Sequence, residues 1–171
     1  WTNRDVMTGH ATMVRELLED RPDVETVFVP VGGGGLLGGV GSALKRLAPH
    51  VRVVAVEPEG GPAFHASLES GAPASIACDT ICDGVAVPYI TETMFPILSA
   101  VADDCVLVSE DDVRRTVRHL ALRERIVAEP SAALSVAAAM AIDEADRGTS
   151  VCLITGGSID AAKLAAILSQ A

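Results

Sequence analysis

Short apolar runs alternate with segments of helical periodicity along the whole chain. Four apolar runs, each about the length of a single buried strand, predict β-strands. Between them, apolar residues recur every three or four positions, which predicts helices that pack on one face. The predicted strands are Thr26–Val31, Val51–Val56, Cys105–Val108 and Ser150–Ile154. The predicted helices are Thr8–Asp20, Leu36–Leu47, Pro62–Ser70, Thr91–Ala102, Ser109–Glu124, Ser131–Asp146 and Asp160–Ser169, with irregular structure over 71–87.

Strands that alternate with helices in this order predict an α/β fold, because parallel neighbours are joined by crossover helices. We expect a three-layer arrangement in which helices cover both faces of one parallel sheet. The chain has 171 residues, within the usual range of one domain, and shows no linker or repeat, so residues 1–171 are expected to form a single α/β domain. Aromatic residues make up only 3% of the chain, so Ala, Val, Leu and Ile have to build the core.

Four consecutive glycines, Gly32, Gly33, Gly34 and Gly35, separate the first predicted strand from the helix that begins at Leu36. Without Cβ atoms, their backbone amides can turn inward, and the following helix adds the positive end of its dipole. Such a loop typically binds an anion, most often a phosphate. A tight turn that binds nothing is the alternative, although one or two glycines are enough for such a turn.

The spacing of the glycines also fits a dinucleotide site. Gly33-x-Gly35-x-x-Gly38 matches the dinucleotide-binding fingerprint, and Glu57 ends the next strand, where such folds carry the acid that binds a ribose. This pattern arises easily in a segment so rich in glycine. It also gives no role to two later motifs, Glu129-Pro130 and Thr155-Gly156-Gly157. A dinucleotide therefore leaves much of the chain unexplained.

Six segments carry a more specific signal, among them V-P-V-G-G-G-G-L, T-I-C-D-G, E-P-S-A-A and T-G-G-S-I-D. They are Asp5–Thr12, Val29–Leu36, Val54–Pro58, Thr80–Val87, Glu129–Ala133 and Leu153–Asp160. In this order they resemble the motifs of the tryptophan-synthase-β-like, or fold type II, pyridoxal phosphate enzymes. The threonine/serine dehydratase and serine racemase group is the most similar. The resemblance extends over nearly the whole chain and corresponds to the C-terminal half of such an enzyme.

The resemblance implies pyridoxal 5′-phosphate as the cofactor. The implied cofactor-binding residues are Gly32, Gly33, Gly34, Gly35, Leu36, Gly84 and Thr155. The glycine loop would hold the phosphate, and the Thr155 hydroxyl would face the pyridine nitrogen. The family places an acid at the position of Glu129 near the cofactor ring, so a supporting catalytic role is one interpretation and a favourable charge at a helix N-terminus is the other.

A catalytic lysine is missing from the expected set. The family carries its cofactor lysine in an N-terminal half, whereas this chain contains only Lys45 and Lys163, both in helices and both expected at the surface. We therefore expect that this chain alone is inactive and needs the missing N-terminal half. The implied activity is a dehydratase acting on serine, threonine or a related amino acid, in an enzyme expected to be a homodimer. A racemase, and a phosphate-ligand or dinucleotide-binding domain without catalysis, are the alternatives.

A metal site is not expected. Some members of the family bind a divalent cation with an acid at the position of Glu57 and a second acid where this chain has Ala63. One carboxylate is a poor site for a hard cation, which makes Glu57 a weak candidate.

Net charge and cysteine content indicate which classes of partner and which cellular compartment to expect. The formal net charge is −10, which disfavours nucleic acid and anionic membranes as partners. The four cysteines show no metal-binding spacing, and no signal peptide is visible. Reduced thiols and a cytoplasmic location are the expectation.

Overall fold

The computed structural model describes residues 1–169. Its strands are β1 (Thr26–Pro30), β2 (Arg52–Pro58), β3 (Asp104–Val108) and β4 (Ser150–Cys152). Its helices are α1 (Arg4–Asp20), α2 (Gly35–Leu47), α3 (Ala63–Ser70), α4 (Phe95–Val101), α5 (Glu110–His119), α6 (Pro130–Ala141), α7 (Glu144–Arg147) and α8 (Ala161–Ser169). A 3₁₀ turn covers Asp83–Val85 and a π-helical turn covers Leu120–Glu124. Within these residues, no helix is both long and apolar enough to cross a membrane.

All four strands are parallel and lie in the order β3-β2-β1-β4. β1 pairs with β2 along its whole length and with β4 over Thr26–Phe28. The chain thus moves outward from β1 to β2 and β3, and then returns across the sheet to β4. In open parallel sheets, ligands bind at the carboxyl ends of the strands where the strand order reverses in this way. The topology therefore directs attention to the ends of β1 and β4.

Alternate residues of β1 enter two different cores, because successive side chains of a strand point to opposite faces. Val27 and Val29 pack with residues of α1 and α2, including Val14 and Leu44. Phe28 packs on the other face with residues of α5, α6 and α8. Helices cover both faces of the sheet, which confirms the predicted three-layer α/β fold.

Local capping shifts the ends of several predicted elements. α1 begins four residues before the predicted Thr8, because the Asn3 side chain accepts hydrogen bonds from the amides of Asp5 and Val6. Periodicity alone does not reveal this cap, since the first turn of α1 is exposed. α6 ends at Ala141 and not at Asp146, since Ile142 is extended and packs against the core.

The start of α5 follows the sequence prediction closely. Ser109 caps the helix by accepting a hydrogen bond from the Asp112 amide at 3.1 Å, and the two side chains also interact. The helix then departs from prediction. It is α-helical only to His119, and the residues up to Glu124 form the π-helical turn.

Candidate functional site

A cavity of about 660 Å³ lies at the carboxyl ends of β1 and β4, where the strand order reverses. Every residue that the sequence assigned to the cofactor lines it, and so does Glu129. These residues are Gly32, Gly33, Gly34, Gly35, Leu36, Gly84, Glu129 and Thr155. They come from separate parts of the chain, and the fold brings them to one edge of the sheet. The cavity is therefore the candidate site.

The floor of the site contains a row of backbone amides that have no acceptor. Before the row, the Val31 amide donates to the carbonyl of Val56, and after it the Gly38 amide donates to the carbonyl of Gly34. Within the described residues, no backbone or side-chain acceptor is found for the amides of residues 32–37. Gly33, Gly34 and Gly35 are also buried. Buried amides without acceptors at a helix N-terminus favour an anion.

The glycines of the loop are required because side chains at these positions would clash with other parts of the protein. Gly34 has a φ of +89°, a left-handed conformation that favours glycine, and a Cβ there would lie 2.5 Å from the Leu98 side chain. A Cβ on Gly32 would lie 2.9 Å from the Val85 backbone, and one on Gly33 would overlap the Trp1 ring. The sequence argument assumed that the missing side chains leave space for a ligand. The structure instead fills that space with protein atoms, and the glycine amides remain free.

A second loop, after β4, brings Thr155 to the cavity. Thr155 is exposed. The loop is held by Glu129: its carboxylate accepts a hydrogen bond from the Ser158 amide at 3.2 Å, and its own amide donates to the Gly156 carbonyl at 3.1 Å. A Cβ on Gly156 would lie 2.5 Å from the Glu129 carboxylate. Glu129 therefore packs directly against the loop that carries Thr155.

A third segment, the 3₁₀ turn with Gly84, closes the side of the cavity. The Gly84 amide donates to the Ser131 hydroxyl at 2.8 Å. Lys163 reaches from α8 to both carboxylate oxygens of Asp83, at 2.9 and 3.0 Å, and this hydrogen bond lowers the pKa of Asp83. Lys163 is thus an anchor of this turn and not merely a residue on the helix surface, as the sequence suggested.

Glu57 is absent from the residues that line the cavity. Its carboxylate is fully buried and accepts hydrogen bonds from the amides of Phe64 and His65, both at 2.8 Å, at the N-terminus of α3. Burial raises the pKa of Glu57 to about 7, and the two amides oppose this rise. Its oxygens thus bind the protein's own backbone. Among residues 1–169, no three His, Cys, Asp or Glu side chains are grouped so that they could hold a metal ion.

Sequence reasoning missed three contributors to the site: Trp1, Ser131 and Lys163. Trp1 and Ser131 line the cavity, and Lys163 anchors the turn beside it. Ser131 lies in the E-P-S-A-A segment, so its position could have been noticed. The residues that Trp1 and Lys163 contact are distant from them in sequence, so no local sequence pattern predicts these contacts.

The chain matches a described family and several named proteins. The family model described as "Pyridoxal-phosphate dependent enzyme" matches residues 1–156. The chain is 34% identical to the L-threonine ammonia-lyase of Geobacter sulfurreducens over 167 residues, which are 96% of this chain and 42% of that protein. It is 39% identical to the biosynthetic L-threonine dehydratase IlvA of Bacillus subtilis over 163 residues, or 94% of this chain and 39% of that protein. Thus the chain spans about half the length of the curated relatives it matches, or less.

Solved structures agree with this assignment of the fold. The processed form of threonine deaminase isoform 2 from Solanum lycopersicum superposes with a TM-score of 0.85 at 30% identity, covering 94% of this chain and 48% of that one. The serine racemase of maize superposes with a TM-score of 0.86 at 28% identity, covering 94% of this chain and 52% of that one. Both dehydratase-type and racemase-type enzymes therefore share this arrangement of strands and helices.

Proposed function

Because the chain belongs to the family of pyridoxal-phosphate dependent enzymes, we propose that the full-length protein is a dehydratase, or ammonia-lyase. It would convert serine, threonine or a related β-hydroxy amino acid to a 2-oxo acid and ammonia. The similar proteins support this reaction, since they include L-threonine ammonia-lyases and L-threonine dehydratases.

The observation that carries the cofactor assignment is the row of free amides at the end of β1. The amides of Gly32–Gly35 and Leu36 would hold the phosphate, since they are without acceptors and lie at the N-terminus of α2. The adjoining cavity of about 660 Å³, which the loops with Gly84 and Thr155 also line, leaves room for the rest of the cofactor. The residues present therefore fit pyridoxal phosphate.

The bound cofactor would supply an electron sink for the bond that breaks at Cα. The Thr155 hydroxyl would face the pyridine nitrogen. Unlike a carboxylate, a neutral hydroxyl does not stabilise a proton on that nitrogen, which keeps the sink weak and favours loss of a leaving group from Cβ. Glu129 would act through the loop: it holds the Ser158 amide and thereby fixes where Thr155 lies.

The lysine that binds the cofactor would come from the missing N-terminal half of the same enzyme. The two lysines of this chain are both engaged, Lys45 with Asp103 at 2.5 Å and Lys163 with Asp83 at 2.9 Å. Neither residue lines the cavity at the ends of β1 and β4. We infer that residues 1–171 form a single α/β domain, the cofactor-phosphate half, and that the full-length enzyme is a homodimer.

A cytoplasmic location belongs to the same proposal. Cys78, Cys82, Cys105 and Cys152 are all free thiols. Burial raises the pKa of Cys82 to about 12 and that of Cys152 to about 11, so both stay protonated. Free thiols fit a reducing compartment.

Racemisation is the second candidate reaction, because the fold of the maize serine racemase superposes on this chain with a TM-score of 0.86. The two reactions diverge at Cα: a racemase has to return a proton from the opposite face, and a dehydratase loses the β-hydroxyl. The group that would deliver this proton belongs to the missing half. A phosphate-binding domain without catalysis is the third candidate.

The test compares the chain alone with the chain coexpressed with the segment encoded upstream of Trp1. Alone, it should bind inorganic phosphate but not turn over L-serine or L-threonine, and borohydride reduction with pyridoxal phosphate should label neither Lys45 nor Lys163 specifically. Together, the two parts should release 2-oxo acid and ammonia. D-serine in place of 2-oxo acid would indicate the racemase. Turnover by the chain alone, with specific labelling of either lysine, would overturn the proposal.

A further inference from the structure

Trp1 occupies an unexpected place in the candidate site. Its side chain lies against the glycine loop, where it fills the space in which Gly33 and Gly35 would carry a Cβ. The Trp1 ring overlaps the Cβ position of Gly33, and Trp1 Cβ lies 3.0 Å from that of Gly35. The same side chain lines the cavity. Trp1 thus touches both the loop and the space that a ligand would enter.

Backbone conformation does not explain why residues 33 and 35 are glycines. The glycines with positive φ are Gly34, Gly71 and Gly148. Gly33 and Gly35 have no left-handed φ, so alanine could adopt their conformation. At Gly33 an added Cβ would overlap the Trp1 ring, and at Gly35 it would make a tight contact of 3.0 Å with Trp1 Cβ and with the Trp1 carbonyl oxygen. In the described structure, Gly33 forms a seat for the indole, and Gly35 lies against the Cβ and backbone of Trp1.

The indole also contacts a second aromatic ring. Tyr89 packs against it with 6.1 Å between ring centroids and an angle of 57° between planes, a tilted arrangement typical of stabilising aromatic pairs. Trp1 nevertheless remains 46% exposed, because part of the ring faces the open cavity.

We propose that Trp1 is a positioning residue of the anion site. Its indole is seated on Gly33, and its Cβ and backbone lie against Gly35. Together these contacts fix the curvature of the loop so that the free amides of residues 32–37 converge on one anion, and the exposed part of the indole forms an apolar wall for the organic portion of the ligand. This inference rests on the proposed phosphate-binding role of the loop. A loop that is already ordered loses less conformational entropy when it binds, so the seat increases affinity without donating a hydrogen bond.

Three single variants and one double variant test the contact between Trp1 and the glycine loop. Trp1→Ala should lower the affinity of the glycine amides for inorganic phosphate by about five- to tenfold, measured from the amide shifts of glycine-labelled protein in NMR titrations. Gly33→Ala should expel the indole and lower the affinity by a similar factor. In the double variant the two losses should not add, because each destroys the same contact. Trp1→Phe, which restores an aromatic ring, should recover most of the affinity.

The indole supplies its own signature, because Trp1 is the only tryptophan. Gly33→Ala should shift its emission to longer wavelength and raise its accessibility to acrylamide. Gly9→Ala is the matched control, since Gly9 lies at an exposed position of α1 with nothing within 4 Å of a Cβ. It should change neither emission nor affinity. Circular dichroism should show that all variants are folded.

Three results would count against the seat. Unchanged phosphate affinity in folded Trp1→Ala overturns it, and so does a full additive loss in the double variant or an unchanged emission in Gly33→Ala. If the parent chain and every variant bind no phosphate at all, the proposed anion site fails, and this inference fails with it. A parent that binds phosphate while Trp1→Ala binds equally well leaves the proposed function intact and removes only the role of Trp1.

Discussion

Two neighbouring parallel strands, β1 and β2, each lead into a helix. The two helix N-termini differ in whether the protein itself supplies an acceptor for their backbone amides. After β2, the carboxylate of Glu57 accepts hydrogen bonds from the amides of Phe64 and His65 and is itself fully buried. After β1, the chain supplies four glycines and no acid, and the amides of residues 32–37 have no acceptor in the described structure. The acceptor at α3 is part of the protein, whereas in the proposed function the acceptor at α2 is an external phosphate.

The difference separates structure from binding within one fold. A buried amide without an acceptor costs about 1–3 kcal/mol, so a helix N-terminus whose role is purely structural is expected to carry its own cap. α1, α3 and α5 follow this rule, with Asn3, Glu57 and Ser109 as acceptors. α4, α6 and the short α7 have no side-chain cap, although α4 and α6 each carry a proline in the first turn, which removes one amide. α2 has neither a cap nor such a proline, and its loop is tightly packed against Leu98 and Val85. Tight packing combined with free amides is the arrangement that the proposed phosphate site requires.

The largest expected effect comes from Gly34→Val at the uncapped end. The new side chain would clash with Leu98 and would force a β-branched residue into a left-handed conformation. Affinity for inorganic phosphate and for pyridoxal phosphate should fall about 100-fold or more, as a loss of about 3 kcal/mol implies. Isothermal titration calorimetry measures both affinities.

Gly71→Val is the matched control for this variant. Gly71 also has a positive φ, +68°, but nothing lies within 4 Å of a Cβ there. It should lose stability from backbone strain and keep its phosphate affinity. Equal affinity in folded Gly34→Val and in the parent protein would mean that the loop after β1 does not hold the phosphate. The free amides at α2 and the capped amides at α3 would then not differ in function.

The buried carboxylate of Glu57, which caps the N-terminus of α3, should make the stability of the protein depend on pH. Burial raises the pKa of Glu57 to about 7 from an unfolded value of 4.5. The folded state therefore binds more protons than the unfolded state between these values. The protonated carboxyl contributes at most about 3 kcal/mol to the free energy of unfolding. This contribution is complete below about pH 4.5, decreases as the pH rises, and is lost above pH 7.

Urea denaturation between pH 4.5 and pH 7.5 measures this trend, and Glu57→Gln isolates it. The variant has no titrating group at this position, so the parent should lose stability relative to it as the pH rises through this range. Phosphate binding at the end of β1 should be the same in both proteins. Parallel stability profiles would show that Glu57 keeps an ordinary pKa and that its burial is incomplete.

The contrast between the strand ends explains what the sequence could and could not predict. The free amides follow from local facts, since β1 runs directly into four glycines, and the sequence alone was therefore enough to predict an anion-binding loop at this place. The burial of Glu57 depends on α3 folding back onto the end of β2, so the sequence left Glu57 open to a metal or a ribose. Lys163 and Asp83 are 80 residues apart in sequence, and only the packing of α8 brings them together.

The smallest expected effect concerns the end of β4, where the acid comes from a different element. Gly156→Ala would place a Cβ 2.5 Å from the Glu129 carboxylate, which should cost about 1–2 kcal/mol in thermal or urea unfolding. Combined with Glu129→Ala, the same change should cost almost nothing, because the obstructing carboxylate is gone. Combined with Glu129→Gln, which keeps the size of the side chain, the cost should remain.

Gly157 provides the control for this cycle. A Cβ on Gly157 would lie 2.6 Å from the Val127 carbonyl, a contact in which Glu129 takes no part. Gly157→Ala should therefore cost the same amount in both the parent and the Glu129→Ala background. If Glu129→Ala fails to relieve Gly156→Ala, Glu129 does not hold this loop. The end of β4 would then be set by its own backbone, as at β1, and not by an acid, as at β2.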